Sequence, residues 1–465
     1  MKRFFFLFAV LTLQFSASST FAKDVSIDKY GAMGDGRTMN TENIQRAIDE
    51  CASTGGGRVV FSTGSYLSCG LQLRSNVYLY LPEGCELQGS TGYTKDYPNR
   101  AFIYAKDIEN AGIIGGGTIN GNGGHPDVLA QGFVVNDEKR PDLILFSDCR
   151  RMRITDVSLR ESGRWTVHLF RVDGITIDRI HLRCLAQGNN DGIDVDARNV
   201  IISNCYIESE DDGICLKSDD PDFMPENIVV SNCVIASNCN PIKFGTASRA
   251  GFRNVNITNC AITRTTENHI WNWPKRYIGI PEGTLTGLSG IAIESADGGI
   301  IEHVNISNIT MEGIITPIFI CLNHRSGTTG QIRDINISNV SAKAEGIIPC
   351  LITGSATNRI QDIVLRNIRV EHAGGQPAFN ERLKESNGYP ENRMFGHRNP
   401  AGGLYVRHAE NIIVDNFVIT QRQKDFRPAV VLDDVHGFQG TNIRHDKNSP
   451  KLYDTQGDCS HIDIK

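Results

Sequence analysis

Apolar and polar residues alternate in a segment that recurs along the chain. Representative copies are NVIISNCYIES at 199, NIVVSNCVIAS at 227 and NVNITNCAITR at 254, in which two short alternating stretches meet at an Asn. Alternation with a period of two predicts strands, and the Asn predicts a turn because it tolerates left-handed backbone. Further copies begin at 303, 334, 362 and 411, and weaker copies begin at 152 and 174.

The spacing of these copies predicts how they assemble. Their central turn positions lie 23 to 31 residues apart, except for two gaps of 49 residues. A strand repeat of this length predicts a β-solenoid, because one coil cannot bury its apolar face alone and stacked coils can. The two long gaps predict loops, placed near 264–289 and 373–402.

The N-terminal region predicts a leader and a helix. Residues 1–22 combine Lys2 and Arg3 with a short apolar run and small residues, which is typical of a signal peptide, and residues 23–465 form the mature domain. In NTENIQRAIDECASTGGG, Ile44, Ala47, Ile48 and Cys51 lie on one helical face, with Asn40 or Thr41 as the N-cap and Gly55 as the stop. We expect this helix to cap the solenoid.

Composition narrows the possible partners. The net charge of −6 becomes −8 when the two leader cations are removed, which disfavours nucleic acid and anionic lipid as partners. Of the 13 Cys, Cys205, Cys233 and Cys260 occupy one repeat position, so we interpret them as stacked core residues rather than as disulfides. N-x-S/T triplets fall within repeat strands, which favours the strand interpretation over glycosylation; among them are those that begin at Asn256, Asn305, Asn308 and Asn336.

The candidate chemistry lies in two acidic clusters that flank one repeat strand. Asp191, Asp194 and Asp196 precede it, and Glu208, Glu210, Asp211 and Asp212 follow it. Equivalent positions of stacked coils lie about 4.8 Å apart, so Asp191, Asp211 and Asp212 are expected to converge, with Asn240 one coil beyond Asp212. Crowding raises the pKa of at least one carboxyl and produces the acid and base pair that glycosidic hydrolysis needs.

The remaining acids receive simpler interpretations. We rank Asp194 below the three converging residues, and Asp194 and Asp196 are open to a turn or solvent-facing interpretation. Glu208, Glu210 and Asp196 are expected to be bystanders. Calcium binding is an alternative for the acidic run, but DGIDVDARN lacks the spacing of an EF-hand loop.

An ordered set of motifs resembles glycoside hydrolase family 28, the polygalacturonases and rhamnogalacturonan hydrolases. The set comprises YGAMGDGRTMNTENIQRAID, GIIGGGTINGNG, RWTVHL, NNDGID, EDDGICLKS and GLYVRHAENI. The resemblance implies an all-β, single-stranded right-handed parallel β-helix and inverting hydrolysis of pectic α-linkages without a cofactor or metal. It implies that Asp211 is the general acid and that Asp191 and Asp212 position and activate water.

Two motifs of the family are absent. Asn240 stands where polygalacturonases carry the His of Gly-His-Gly, and Ala292 and Glu294 stand at the positions of the basic pair that binds a galacturonate carboxylate. A Glu there would repel a uronate, which favours a neutral leaving sugar such as rhamnose. Lys217, Lys243 and Arg249 are candidates for binding a uronate on the other side of the bond, or are surface charges.

The expectation is an exported, periplasmic or extracellular, monomeric hydrolase of pectic polysaccharide with a rhamnogalacturonan-type substrate. Asp194, Lys217, Asn240, Lys243 and Glu294 are its expected substrate-binding residues. The aromatic and basic loop HIWNWPKRYIGIP is either a substrate rim or a packing element. The alternatives are a true polygalacturonase, a calcium-dependent lyase and a noncatalytic sugar-binding β-helix, and endo or exo action is left open.

Overall fold

Parallel strand pairing dominates the structure. The computed structural model describes residues 23–133, 137–327 and 330–465, so the expected signal peptide lies outside the described residues. Its 32 strands belong to one continuous sheet whose successive coils pair in parallel. Parallel connections of this kind are right-handed, and the chain is a right-handed parallel β-helix, as expected.

The strands are short in the first coils and long in the later ones. In chain order, β1 to β32 are Lys23–Ser26, Asp35–Met39, Gly57–Val60, Gly64–Ser68, Leu71–Gln72, Val77–Tyr80, Cys85–Gly89, Ala101–Lys106, Gly112–Ile114, Thr118–Asn120, Asp142–Ser147, Arg150–Thr155, Ser158–Arg160, Val167–Asp178, His181–Cys184, Ile193–Ser203, Tyr206–Ser209, Ile214–Ser218, Glu226–Ser231, Val234–Ser237, Ile242–Ser248, Gly251–Thr263, Gly287–Ser295, Ile300–Leu322, Gln331–Ala344, Cys350–Thr353, Ile360–Gly374, Leu404–Gln423, Val430–Thr441, Arg444–His445, Tyr453–Gln456 and Ser460–Ile464. The helices are α1 (Thr41–Ser53), α2 (Pro126–Leu129) and α3 (Trp273–Arg276), with a 3-10 turn at Ile27–Tyr30.

The repeat Asn residues hold the coils in register. Asn204, Asn232 and Asn259 adopt φ values of 57°, 58° and 57°, the left-handed conformation that the repeat predicts. The side-chain amides of Asn232 and Asn259 donate to the Asn one coil earlier, at 3.3 and 3.4 Å, and that of Asn204 donates to Asp178 at 2.8 Å. The ladder continues through Asn308 and Asn339, each at 3.0 Å from its neighbour. A second ladder at the start of the repeat, which the sequence analysis did not identify, joins Asn199, Asn227 and Asn254.

The core runs along the axis of the helix. Inward-facing Ile, Val and Leu side chains of successive coils stack into one buried cluster. Cys205, Cys233 and Cys260 belong to it, and all 13 cysteines, which lie within the described residues, are free thiols. The interpretation of these residues as small core side chains is confirmed.

Helix α1 presents its predicted apolar face to the first coils. Ile44, Ala47, Ile48 and Cys51 are fully buried. Asn40 is the N-cap residue, as one of the two predictions has it, but its side chain makes no cap hydrogen bond. The Asn40 amide instead bonds to the preceding loop: its oxygen accepts from the Met33 N–H, and its NH₂ group donates to the Met33 and Thr38 carbonyls. These bonds occupy the side-chain oxygen that would otherwise accept from the helix backbone. That α1 caps the end of the solenoid stays a prediction.

One line of outward side chains forms the face on which the acids lie. We name it the outward row; it follows the strand register and comprises Gln72, Tyr104, Leu145, His168, Asp194, Cys215, Lys243, Ala292, Phe319, Leu351, Tyr405 and Val431. Residues from Gln72 to His168 are partly exposed, whereas those from Ala292 onward are buried. The two predicted loops cover the buried part, and they lie between β22 and β23 and between β27 and β28.

Asn256, Asn305, Asn308 and Asn336 lie in β22, β24 and β25, as the strand interpretation predicts. Among the helices of the described ranges, none combines the length and hydropathy needed to cross a membrane.

Candidate active site

Two stacked turns bring three carboxylates together. Asp191 lies just before β16, and Asp211 and Asp212 lie just before β18. The backbone N–H of Gly192 donates to the Asp212 carbonyl at 2.8 Å, which places one turn directly on the other. A Cβ on Gly192 would lie 2.4 Å from the Gly213 carbonyl oxygen, so this close approach requires glycine. Oxygens of the three carboxylates lie within 4.8 Å of one another, and the predicted convergence is present.

Two lysines balance the charge of this cluster. The Lys217 Nζ lies 3.3 Å from Asp191 and 3.1 Å from Asp194. The Lys243 Nζ lies 3.0 Å from Asp212. The Lys217 and Lys243 side chains are only 13% and 4% exposed, so both ammonium groups are committed to the acids. That these lysines bind a uronate stays a prediction, and in the structure their partners are carboxylates of the protein itself.

The surroundings give the three acids different proton affinities. Burial, followed by the charges of Asp191 and Asp212, raises the pKa of Asp211 to about 8. Burial also acts on Asp212, but Lys243, Lys217 and the Asn240 hydrogen bond lower its pKa. Burial raises the pKa of Asp191, and Lys217 opposes the shift. At neutral pH, Asp211 therefore holds a proton and Asp212 is ionised, which is the arrangement of an acid beside a base.

Accessibility agrees with this division. Asp191 and Asp212 are each only 3% exposed, whereas Asp211 is only half-buried and faces the cleft. The carboxyl that carries the proton is thus the one that a substrate can reach.

Asn240 fixes the orientation of Asp212. Its backbone N–H and its side-chain amide donate to Asp212 Oδ1 at 3.2 and 2.8 Å. The Asn240 side-chain oxygen accepts from the Ser289 backbone at 3.2 Å, which ties Asp212 to the next coil. Asn240 thus lies in the predicted position, one coil beyond Asp212.

The next coil places an acid, not a base, beside Lys243. Ala292 pairs with Lys243 in the strand register and is buried. Glu294 is buried with an oxygen 3.9 Å from the Lys243 Nζ, and burial raises its pKa to about 7 despite that lysine. Arg249 is exposed on the surface and does not line the cleft described below.

The solvent-facing interpretation of Asp194 and Asp196 is wrong, because neither is more than 2% exposed. Both are covered by the following coil, and burial raises their pKa values, for Asp196 to about 7. Asp196 accepts from the Asp219 backbone at 3.1 Å. Glu208 and Glu210, also buried, bind Thr266 and Asn238 at the first loop. None of these four lines the cleft, and Asp194 reaches the site through Lys217.

A cleft of about 340 Å³ opens over the carboxylates, and several of its residues were not predicted. Arg164, Trp165, Arg325 and Tyr389 line it beside the acids. The Lys243 Nζ donates to the Tyr389 hydroxyl at 3.2 Å. These two residues are 146 positions apart, so no repeat spacing relates them. Trp165 lies in the RWTVHL motif, which was the one available signal, and its ring faces the Lys217 ammonium at 4.9 Å.

Metal ligation is geometrically open to the same carboxylates. Asp191, Asp211 and Asp212 form one group with the spacing of a metal site, and Asp191, Asp194 and Cys215 form another. The two ammonium groups already supply positive charge at 3.0 to 3.3 Å from these acids.

Comparison with known proteins agrees with the geometry. Residues 71–270 match the model of glycosyl hydrolases family 28. A polygalacturonase from Gossypium barbadense is 25% identical over 400 residues, covering 81% of this chain and 91% of that protein. A probable polygalacturonase from Vitis vinifera is 30% identical over 235 residues, covering 44% of this chain and 46% of that protein. These matches support glycoside hydrolase family 28 for this chain.

Solved structures show the same fold. An exopolygalacturonase from Thermotoga maritima aligns with a TM-score of 0.65 at 20% identity, covering 85% of this chain and 91% of that chain. A surface adhesin of Streptococcus pneumoniae aligns with a TM-score of 0.58 at 13% identity, so the fold alone does not specify activity. The family match indicates a glycoside hydrolase, and the resemblance read from the motifs is confirmed.

Proposed function

We propose that this family 28 chain is an exported hydrolase that cleaves α-glycosidic bonds of pectic polysaccharide by inverting acid and base catalysis. The observation that carries the proposal is the convergence of three carboxylates within 4.8 Å, with Asp211 facing the cleft and Asp191 and Asp212 buried beside lysines. Asp211 is accessible and its pKa is raised to about 8, whereas the pKa of the lysine-bound Asp212 is lowered. The curated relatives are polygalacturonases, which supports pectin as the substrate class.

In this mechanism Asp211 protonates the glycosidic oxygen as the bond to the anomeric carbon breaks. Asp212 and Asp191 hold a water molecule, and the ionised carboxylate accepts its proton as the water attacks the anomeric carbon. The proton gained by the leaving sugar and the proton lost by water balance, so no cofactor is needed. Lys243 and Lys217 lower the pKa of the buried Asp212, and Lys217 opposes the rise that burial causes in the pKa of Asp191.

The contacts of Asp191 and Asp212 bear on the stereochemistry of hydrolysis. In glycoside hydrolases, catalytic carboxyl groups about 6.5–9.5 Å apart are typical of inversion, and a shorter separation is typical of retention. The carboxylate oxygens here lie within 4.8 Å of one another, so distance alone would favour retention. Retention, however, requires a carboxylate that can bond to the anomeric carbon. Asp212 is held by Asn240 and Lys243, Asp191 is held by Lys217, and both are almost fully buried. We therefore favour water as the nucleophile.

For the substrate, we favour a rhamnogalacturonan-type chain over polygalacturonate. Glu294 and Ala292 supply no cation to a sugar carboxylate at the coil after the acids, and Lys243 is paired with Asp212. Arg325 lines the cleft and Arg276 lines a neighbouring pocket, and these two cations are suited to binding a single uronate. A true polygalacturonase is the second candidate, because the curated relatives carry that name.

Digestion of rhamnogalacturonan and polygalacturonate, each with and without EDTA, tests the proposal. New reducing ends without ultraviolet absorbance support hydrolysis, whereas absorbing, EDTA-sensitive products identify a lyase. Faster cleavage of polygalacturonate would overturn the substrate preference alone. Binding without any cleavage would identify a noncatalytic β-helix.

Export, a monomeric state and the absence of nucleic acid partners remain part of the proposal. Fractionation of cells and light scattering of the purified chain test the first two.

A further inference from the structure

The outward row is open on one side of the acids and closed on the other. Before the acids, Tyr104, Leu145 and His168 are partly exposed and form an accessible floor. Beyond Lys243, Ala292 and Phe319 are fully buried, as are the later members of the row. A groove that accommodates the middle of a long polymer needs an accessible floor on both sides of the cleaved bond.

A second apolar cluster covers the closed side. It is separate from the axial core and joins outward side chains of the coils to the two loops. Phe319, Leu351 and Tyr405 contribute from the coils, and Trp273 and Tyr277 from the first loop are 3% and 4% exposed. Burial of this much apolar area makes the cover part of the fold rather than a loosely attached flap.

The second loop crosses the face directly beyond the acids. Gly388 accepts from Asn323 at 2.9 Å, and Tyr389 accepts from Lys243 at 3.2 Å. The side chain of Asn392, only 2% exposed, donates to the Leu288 carbonyl at 3.0 Å and to Thr316 at 3.1 Å. Four anchors within a few residues hold this stretch against three successive coils.

The first loop also contacts this stretch of the second loop, through Tyr277. The Tyr277 hydroxyl donates to the Asn392 side chain, and the Arg393 guanidinium lies 5.4 Å from the centre of the Tyr277 ring. We name residues 388–394 together with Trp273 and Tyr277 the end wall.

A small pocket lies between the acids and the end wall. Its volume is about 290 Å³, and Asp211, Asn240, Trp271, Arg276, Leu288 and Tyr389 line it. This is the lower end of the range for small-ligand sites, about 300–1,000 Å³, and suits a terminal sugar or short oligosaccharide rather than a continuing chain. Trp271 stacks on Trp273 with ring centres 5.2 Å apart, and the exposed Arg276 guanidinium lies 5.1 Å from the centre of the Trp271 ring.

We propose that the enzyme acts from a chain end, because the end wall admits only a terminal sugar or short terminal segment on one side of Asp211. The inference rests on the proposed hydrolysis of pectic chains. Asp211 lines both the open cleft and the walled pocket, so the bond beside the terminal segment is the one presented to the acid. Trp271 and Arg276 bind that segment by stacking and by charge.

Oligosaccharides capped at both ends with bulky groups provide the test, with the uncapped oligosaccharides as controls. Chain-end action predicts that uncapped chains release short products from the first time points while polymer viscosity falls little. It also predicts that double capping lowers the rate at least about tenfold, equivalent to about 1.4 kcal/mol. Equal rates on capped and uncapped chains, or an early collapse of viscosity, would overturn the inference. If no chain is hydrolysed, the proposed function itself fails.

The Arg276→Ala variant tests the pocket separately. We expect KM for short uncapped oligosaccharides to rise about tenfold with a smaller change in kcat. Arg253→Ala, in which the lost arginine lies on an exposed strand face beside Glu226, is the matched control. An unchanged KM in Arg276→Ala would remove Arg276 from the binding of the terminal segment.

Discussion

Asn240 sets the proton affinity of Asp212, and its removal has a calculable effect. The side-chain amide donates to the carboxylate at 2.8 Å in a buried site. A hydrogen bond to a charged group contributes about 1.5–3 kcal/mol, and 1.36 kcal/mol corresponds to one pKa unit. Asn240→Ala leaves the backbone N–H bond at 3.2 Å but removes this contact. The pKa of Asp212 should therefore rise by about 1–2 units.

The pH dependence of kcat/KM reports this change. Asp212 must be ionised, so activity is lost as the pH falls through its pKa, and the variant should lose activity at a pH about 1–2 units higher. Asp211 must be protonated, so activity is lost as the pH rises through its pKa of about 8, and this alkaline limb should stay in place. The two limbs belong to a coupled cluster and are compared as apparent values.

Asn204→Ala is the control, because Asn204 belongs to the ladder with Asn232 and Asn259 and makes no contact with Asp212. It should lower the unfolding midpoint without moving either limb. If Asn240→Ala lowers kcat/KM while its acidic limb stays in place, Asn240 acts on the substrate or on the fold and not through Asp212.

Three further predictions concern catalysis and stability. Asp211→Asn should lower kcat by about 10²–10⁴-fold, the range for a general acid, and a fully active variant would contradict this role. The same variant should have a higher Tm at pH 7. The raised pKa of the wild-type carboxyl means that its contribution to folding stability is lost as the pH rises from 3.8 toward about 8. Lys243→Met should lower the free energy of unfolding, measured by urea titration, by about 3–5 kcal/mol, because the buried Asp212 loses its ion-pair partner. A loss below about 1 kcal/mol would show that Asp212 is not held as a buried charge. Asn308→Ala should lower the same free energy by about 2–4 kcal/mol, because it removes the two ladder bonds to Asn259 and Asn339 and places Ala at a φ of 58°. Asn308→Gly should recover the backbone part, and equal losses would show that the left-handed turn contributes nothing.

The sequence contains the information for the coil stack and for the acid cluster because both follow from one period. Once Asn204 and Asn232 are aligned, Asp212 and Asn240 must be neighbours, and the structure places them 2.8 Å apart. Asp191 follows from the same period despite the short turn before it, because Gly192 permits the turns to stack.

The loops have no such period, and their contributions were not predictable from spacing. Tyr389 reaches Lys243 from a segment with no repeat pattern. The burial of Asp194 was missed because alternation shows which side chains face outward, but not whether another part of the chain covers them. A signal for such a cover was present in PIFICL and LYVRH, where outward Phe319 and Tyr405 are as apolar as their inward neighbours, a pattern typical of strands buried on both faces.

The anomeric configuration of the first product tests the central claim most directly. Proton NMR, recorded within the first turnovers on an α-linked pectic oligosaccharide, distinguishes the two anomers before they equilibrate. Direct attack of water held by Asp191 and Asp212, with Asp211 as the acid, predicts that the β-anomer appears first. Initial release of the α-anomer would show a covalent intermediate on one of these carboxylates and would contradict the account.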